Sequence, residues 1–362
     1  MIDRLTSLYK IIEDKELTGI VITDGYNIDY LTGYKGHTGM VLILEDDKFL
    51  LTDSRYIEQA QREADNFTCV DIGMDGYSKT VRRIIDEKYG DKKEIVLGFE
   101  DKSISYSQYK TLVDNIGESV QLMELGESLN YLRMVKSQEE IELIAKAEAI
   151  GDEAFNHIIN FIEVGMTEKQ VALELEYVMK SLGADGLSFD TIVASGTNSS
   201  MPHAVPTDKV IEDGDYVTLD FGCIYKGYCS DMTRTVHMGD EMTEKQLEVY
   251  TTVLNAQKLA LMSIKPGIVC SEIDKIARDY IADAGYGEYF GHGLGHGVGL
   301  YIHEEPRFSR TCDVVLQPGM VLSVEPGIYL PGEFGVRIED LIVVTEDGYE
   351  NLASSPKVLI LM

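Results

Sequence analysis

Asp220-Phe221-Gly222-Cys223-Ile224-Tyr225-Lys226-Gly227-Tyr228-Cys229-Ser230-Asp231 is the stretch on which the reading of this chain turns. Two β-prone segments meet around a short turn, and a turn centred on Tyr225-Lys226 makes a hairpin in which Asp220 faces Asp231. Two carboxylates then stand on one face with Cβ atoms about 5 Å apart, a repulsive arrangement unless a cation or a shared proton offsets it. The spacing suits a metal. It is equally compatible with two unconnected turn aspartates, since Asp is frequent in loops.

Further along, Phe290-Gly291-His292-Gly293-Leu294-Gly295-His296-Gly297-Val298-Gly299 alternates glycine with larger residues, which rules out a regular helix and lets backbone approach a bound group closely. It does not fit the G-x-G-x-x-G dinucleotide frame, because His296 stands three places after Gly293. Nor does it fit the H-E-x-x-H zinc-protease pattern, with Gly293 where the glutamate belongs. Two histidines among glycines are hard to explain as core packing, and the third ligand candidate lies in this stretch, at His292 or His296.

Glu325, in Val324-Glu325-Pro326-Gly327, and Glu339, in Val336-Arg337-Ile338-Glu339-Asp340, each lie within an apolar strand-like run. A glutamate on the buried face of a strand is costly unless paired or metal-bound. Asp340 must point opposite to its neighbour, so only one of the two shares the site. Glu339 is preferred because Arg337, two residues earlier, falls on the same face as a charge partner. Four carboxylates and one imidazole form a hard ligand set, suited to two divalent ions that share bridging carboxylates. Pairs of Mn(II), Co(II), Zn(II) or Fe(II) all suit such a set.

The surrounding chain is long enough for two domains: 362 residues, 44% apolar and 26% charged. Up to about residue 126, strand-like runs at 19–23, 39–44, 49–52, 68–72, 94–98 and 121–125 alternate with helical patterns at 55–65, 77–89 and 105–116, an α/β organisation. Ser137 with Glu140 forms a capping box that opens a long amphipathic helix, which sets the division at residues 1–130 and 131–362. The second part reads as strands at 191–195, 216–221, 232–236, 320–324 and 336–344, with helices at about 243–263 and 271–284. The expected architecture is α+β, helices laid over one curved, largely antiparallel sheet. Thr167-Glu168-Lys169-Gln170 and Thr243-Glu244-Lys245-Gln246 open two helices in the same words, compatible with an internal duplication or with convergence on good capping chemistry.

Acidic residues (62) outnumber Lys and Arg (32), a formal charge of -30 that disfavours nucleic acid and anionic membrane partners. Cys69, Cys223, Cys229, Cys270 and Cys312 are scattered without a C-x-x-C pair, so reduced, mostly structural thiols are expected. No apolar run approaches the roughly 18 to 20 residues that span a bilayer, and the expected location is the cytoplasm.

The motifs D-F-G-x7-S-D-M-T-R-T, H-G-x-G-H-G-V-G, V-E-P-G-I-Y and G-V-R-I-E-D, in this order, resemble those of the pita-bread metallopeptidases, specifically the branch of Xaa-Pro aminopeptidases and Xaa-Pro dipeptidases (prolidases). The resemblance covers the part from about Leu132 onward, and the α/β half fits that branch's additional domain. It implies that Asp220 chelates one metal, that Asp231 and Glu339 bridge, and that His296 with Glu325 completes the other. It further implies that metal-activated water attacks the scissile carbonyl, with Glu325 shuttling a proton to the proline nitrogen. His203, His292 and His303 match histidines that bind substrate and stabilise the tetrahedral intermediate, and Arg337 matches an arginine near the site. The implied activity is removal of the N-terminal residue from peptides with proline second, by a homodimer; a dipeptidase is the alternative. The fold also occurs as a non-catalytic interaction module and as a metal-independent creatine hydrolase, and the complete ligand set argues against both.

Overall fold

The computed structural model describes residues 4–90 and 94–362. They form two compact units that meet in the sequence between Arg133 and Met134.

In the first unit six strands, β1 (Gly19–Ile22), β2 (Met40–Leu44), β3 (Asp47–Thr52), β4 (Thr68–Asp71), β5 (Ile95–Phe99) and β6 (Val120–Glu124), form a mixed sheet in the order β4-β3-β2-β1-β5-β6. β1 is antiparallel to β2 and parallel to β5. Its Gly-Ile-Val-Ile sequence is buried throughout, the continuous apolar run expected of a strand covered on both faces. Helices α1 (Arg4–Asp14), α2 (Gly25–Thr32), α3 (Ile57–Glu63), α4 (Gly76–Tyr89) and α5 (Tyr106–Ile116) belong to the same unit. Asp24 starts α2 by accepting from the Tyr26 and Asn27 amides, and Gly33 at φ 77° ends it.

The second unit is built from two helix pairs and antiparallel ladders. α6 (Gln138–Ile158) opens on the Ser137/Glu140 capping box, and α7 (Glu168–Ser181) packs against it. α8 (Glu244–Ser263) and α9 (Cys270–Asp283) form the other pair. The Thr167/Gln170 and Thr243/Gln246 boxes both form, but the first opens the second helix of its pair and the second opens the first helix of the other. The shared wording therefore marks capping chemistry, not corresponding places.

The strands of this unit are β7 (Gly186–Leu187), β8 (Ile192–Ser195), β9 (Tyr216–Phe221), β10 (Cys223–Tyr225), β11 (Tyr228–Cys229), β12 (Met232–His237), β13 (Gly295–Gly297), β14 (Glu304–Phe308), β15 (Val321–Val324), β16 (Gly327–Leu330), β17 (Phe334–Arg337), β18 (Asp340–Val344) and β19 (Tyr349–Asn351). Instead of one continuous sheet, hydrogen bonding among the described residues resolves the ladders β12-β9-β8, β11-β10-β7, β14-β13-β15-β18-β19 and β16-β17. They share two apolar cores. Phe155, Leu175 and Val178 of α6 and α7 pack with Val193, Leu219 and Val236 in one core, and Val253, Ala256 and Ile273 of α8 and α9 pack with Leu322, Val324 and Ile342 in the other. Among the described residues no helix is long and apolar enough to cross a membrane.

Two details of strand geometry differ from the sequence expectation. The 220–231 hairpin turns at Lys226-Gly227, with φ 50° and 90°, which pairs Tyr225 with Tyr228 and sets Asp220 opposite Thr233. A turn with two positive-φ centres accepts glycine cheaply and would strain Tyr225, so the hairpin shifts by one place at its tip. Opposite partners thereby move by two residues, an even step that leaves Asp231 on the face of Asp220. The expected strand 336–344 is broken at Ile338-Glu339, with β17 joining the β16 ladder and β18 the five-stranded one.

Candidate metal centre

The break at Ile338-Glu339 lies where the two sets of ladders adjoin. Asp220 on β9 and Asp231 just before β12 come from one side; His296 on β13, Glu325 just after β15 and Glu339 just before β18 come from the other. The seam is stitched by backbone: the Glu339 amide donates to the Thr233 carbonyl at 3.1 Å, and the Thr235 hydroxyl donates to the Arg337 carbonyl at 2.9 Å.

The glycines around His296 serve strand packing. A Cβ on Gly295 would lie 2.0 Å from the Ser323 carbonyl oxygen, and one on Gly297 2.4 Å from that of Glu305. The close approach that glycine permits here is to neighbouring chain, not to a bound group. Where the loop is irregular, Arg278 and Asp274 on α9 hold it: Arg278 donates to the carbonyls of Phe290 and His292, and Asp274 accepts from the Leu294 amide. Ser323 couples two candidate ligands, accepting from the His296 amide at 3.1 Å and donating to Glu325 Oε1 at 3.2 Å.

Asp231, His296 and Glu339 each offer a ligand atom within 4.8 Å of the others. His296 Nε2 is 3.4 Å from both Asp231 Oδ2 and Glu325 Oε1. Its Nδ1 faces the Gly297 carbonyl at 3.1 Å, which assigns the proton there and leaves Nε2 as a free lone pair. Burial, with His303 nearby, pushes this imidazole down to about 3, so it is neutral at pH 7. Burial, then Glu339, Asp220 and Glu325, push the Asp231 carboxyl well up; burial, then Glu325 and Asp220, do the same to Glu339. Glu325 rises to about 8, chiefly by burial, with Asp220 adding to it.

Asp220 Oδ1 and Glu339 Oε1 are buried without a hydrogen-bond partner. Buried carboxylate oxygens are rarely left so; Glu339 groups with Asp231 and the neutral His296, and Asp220 raises the pKa of Asp231, Glu325 and Glu339 as a like-charged neighbour. The donor set, four carboxylates and one nitrogen, fits divalent cations, with Asp220, Asp231, His296, Glu325 and Glu339 as the residues able to hold them.

Arg337 is where the sequence reading needs correction. It pairs with Asp220 at 2.5 Å, not with Glu339, whose Oε2 instead accepts from the Thr233 hydroxyl at 2.6 Å. The strand break removes the shared face that period-two counting assumed. Asp340 is buried too, but it is taken up by Arg234 and Lys357. His292 lies against Tyr329, with Nε2 2.9 Å from its hydroxyl, and Arg337 donates to that hydroxyl at 2.8 Å. Burial, then Arg337, lowers His292 to about 4. The His303 ring meets that of His296 edge-on at 4.6 Å, and burial followed by Arg307 and His203 lowers its pKa. His203 is exposed but close enough to disfavour protonation of both His292 and His303. The centre thus runs from buried carboxylates to an exposed rim of histidines. Tyr329, Thr233 and Ser323 were not singled out from sequence. Tyr329 stands in V-E-P-G-I-Y and Thr233 two residues beyond Asp231 on its face, which were the available signals.

Fold and centre together define a two-domain hydrolase that works with divalent metal ions. The chain belongs to metallopeptidase family M24, whose model matches residues 142–346, and it carries a Creatinase/Prolidase N-terminal domain over residues 4–135. Its architecture is the pita-bread fold of the Xaa-Pro peptidases in that family. It is 42% identical to the solved structure of an Xaa-Pro dipeptidase from Bacillus anthracis, with a TM-score of 0.93 over 100% of this chain and 99% of that one. An X-Pro aminopeptidase from Thermotoga maritima gives 37% identity and a TM-score of 0.89 over 98% of each chain. Over 99% of this chain and 100% of the relative, it is 38% identical to an Xaa-Pro dipeptidase from Pyrococcus furiosus.

Proposed function

We propose that this chain is an Xaa-Pro dipeptidase, cleaving free Xaa-Pro dipeptides with two divalent metal ions held by Asp220, Asp231, His296, Glu325 and Glu339. The carrying observation is the buried cluster itself, with a neutral imidazole lone pair 3.4 Å from two carboxylates and two carboxylate oxygens without partners. Preference for dipeptide over longer peptide reverses the order expected from sequence. It is supported by the relatives from Bacillus anthracis and Pyrococcus furiosus that carry the name Xaa-Pro dipeptidase. Arg307 supports it chemically. This half-exposed cation influences His296, His303 and Glu325, and suits the free carboxylate that ends a dipeptide.

Bound metal ions supply Lewis acidity and an activated water. The chain does the rest. Glu325, the most open of the ligands, is placed to carry a proton between water and the proline nitrogen. The Gly293 carbonyl and the Tyr329 hydroxyl engage both ring nitrogens of His292 and fix it as part of the wall, Arg337 fixes Asp220, and His203 and His303 present imidazole nitrogens to the substrate carbonyl and the developing oxyanion. Mn(II) is the preferred metal, and the protein works in the cytoplasm as a homodimer. Metal content of the purified protein tests the first of these and its mass in solution the last.

The experiment is hydrolysis of Ala-Pro beside Ala-Pro-Ala by metal-stripped protein with Mn(II), Co(II) or Zn(II) restored, following released alanine. Cleavage of the dipeptide alone is expected. Preferred cleavage of the tripeptide would make the protein an aminopeptidase.

A further inference from the structure

His203 lies on a loop between β8 and β9 whose one helical segment is the 3-10 turn Gly196–Ser200. A flexible loop would hold an exposed imidazole poorly. Glu168, the first residue of α7, is fully buried and grips the chain on both sides of His203. Its Oε1 accepts from the Ser195 amide at 2.7 Å, the Ser195 hydroxyl at 2.9 Å and Asn198 Nδ2 at 3.0 Å. Its Oε2 accepts from the Thr207 amide at 3.0 Å and the Thr207 hydroxyl at 2.7 Å, and shares Asn198 Nδ2 at 3.1 Å. One carboxylate thereby closes the segment from 195 to 207 into a ring.

The same segment is docked in its middle. Ser199 Oγ accepts from the Gly335 amide at 2.8 Å, and the Pro202 carbonyl accepts from Arg337 Nη1 at 3.2 Å, beside the Asp220 pair. Burial works against the Glu168 charge, yet the bonds from Thr207, Ser195 and Asn198 hold its carboxyl below the ordinary glutamate range. It is an anion with every strong acceptor site engaged.

We propose that Glu168 is a positioning residue for the reaction: it closes the 195–207 loop so that His203 is held at the rim of the metal centre. The inference rests on the proposed role of His203. Gln at 168 keeps the shape but turns one oxygen into a donor, so at one end of the loop buried N–H groups would face N–H. The loop would loosen while the metal ligands, on other elements, stay in place. A misplacement of about 1 Å at a substrate-contacting group costs up to roughly 100-fold in rate.

The test is a cycle of Glu168→Gln, His203→Ala and the double variant, each loaded with Mn(II), with kcat and KM for Ala-Pro, metal content and amide exchange of residues 195–207. Expected are full metal content in all, a loss of about 10- to 100-fold in Glu168→Gln, faster exchange at Ser195 and Thr207, and a double variant no slower than His203→Ala. Losses that multiply, or unchanged rate and exchange in Glu168→Gln, would overturn the proposal. Undiminished activity in His203→Ala would instead overturn the role assigned to His203, and the exchange rates would still report whether Glu168 holds the loop. Should Glu168→Gln not fold, Thr207→Val, which removes the hydroxyl bond to Glu168 together with those it accepts from the Lys209 amide and Asn198 Nδ2, enters the same cycle under the same criteria.

Discussion

Removing metal should turn the centre into a pH-sensitive weak point, and Glu325 sets the scale. Its carboxyl is raised from an ordinary 4.5 to about 8 by burial among like charges. Between those values the folded, metal-free chain keeps a proton that the unfolded chain has released. Fewer protons are bound in the unfolded state, so unfolding free energy falls as pH rises. From pH 5 to pH 8 this single group accounts for on the order of 4 kcal/mol, and Asp231 and Glu339, raised by the same causes, act in the same direction. For a domain of this size that corresponds to a drop of roughly 10 °C in the thermal midpoint. The assay is calorimetric melting of chelator-treated protein across this range, beside Glu325→Gln and beside protein with metal restored. Wild type should lose stability with rising pH, Glu325→Gln should lose less, and metal should abolish the difference. A metal-free wild type whose midpoint is level or rises from pH 5 to 8, in parallel with Glu325→Gln, would refute the reasoning.

Three other outcomes follow from the geometry. Glu325→Gln should lower kcat for Ala-Pro by roughly 100-fold or more, with metal content measured alongside to separate proton transfer from metal loss. Tyr329→Phe removes the hydroxyl between His292 and Arg337 and should cost about 1–3 kcal/mol of stability by chemical denaturation, together with a measurable fall in kcat. Gly227→Ala places a side chain at φ 90° in the hairpin turn and should destabilise the protein by about 1 kcal/mol without changing metal stoichiometry.

The α/β alternation of the first unit was legible because its core strands are continuous apolar runs and the helices between them keep a clear period, α5 with a Ser105/Gln108 capping box as well. α2 was not placed, since it is only eight residues long and mostly buried, leaving little amphipathic contrast. In the second unit the candidate ligands were legible because a carboxylate inside an apolar strand is costly unless a cation or a charged partner offsets it. What could not be read was the exchange of partners at Ile338-Glu339. Strand periodicity carries no record of where a chain leaves one ladder for another, and so Arg337 was given the wrong carboxylate. The one-place shift at Lys226-Gly227 was readable in principle from glycine's tolerance of positive φ, and it proved harmless because strand faces repeat every two residues. Glu168 was read only as part of a capping box, since its grip on Ser195 and Thr207 is a tertiary fact.

The central claim is that the seam between the ladders holds two metal ions that drive Xaa-Pro cleavage. Titrating metal-stripped protein with Mn(II) while following alanine released from Ala-Pro tests it most directly. Activity should be absent without metal and should climb to a plateau at about two equivalents per chain. Full turnover by the metal-free protein, or no turnover at any metal loading, would contradict the account.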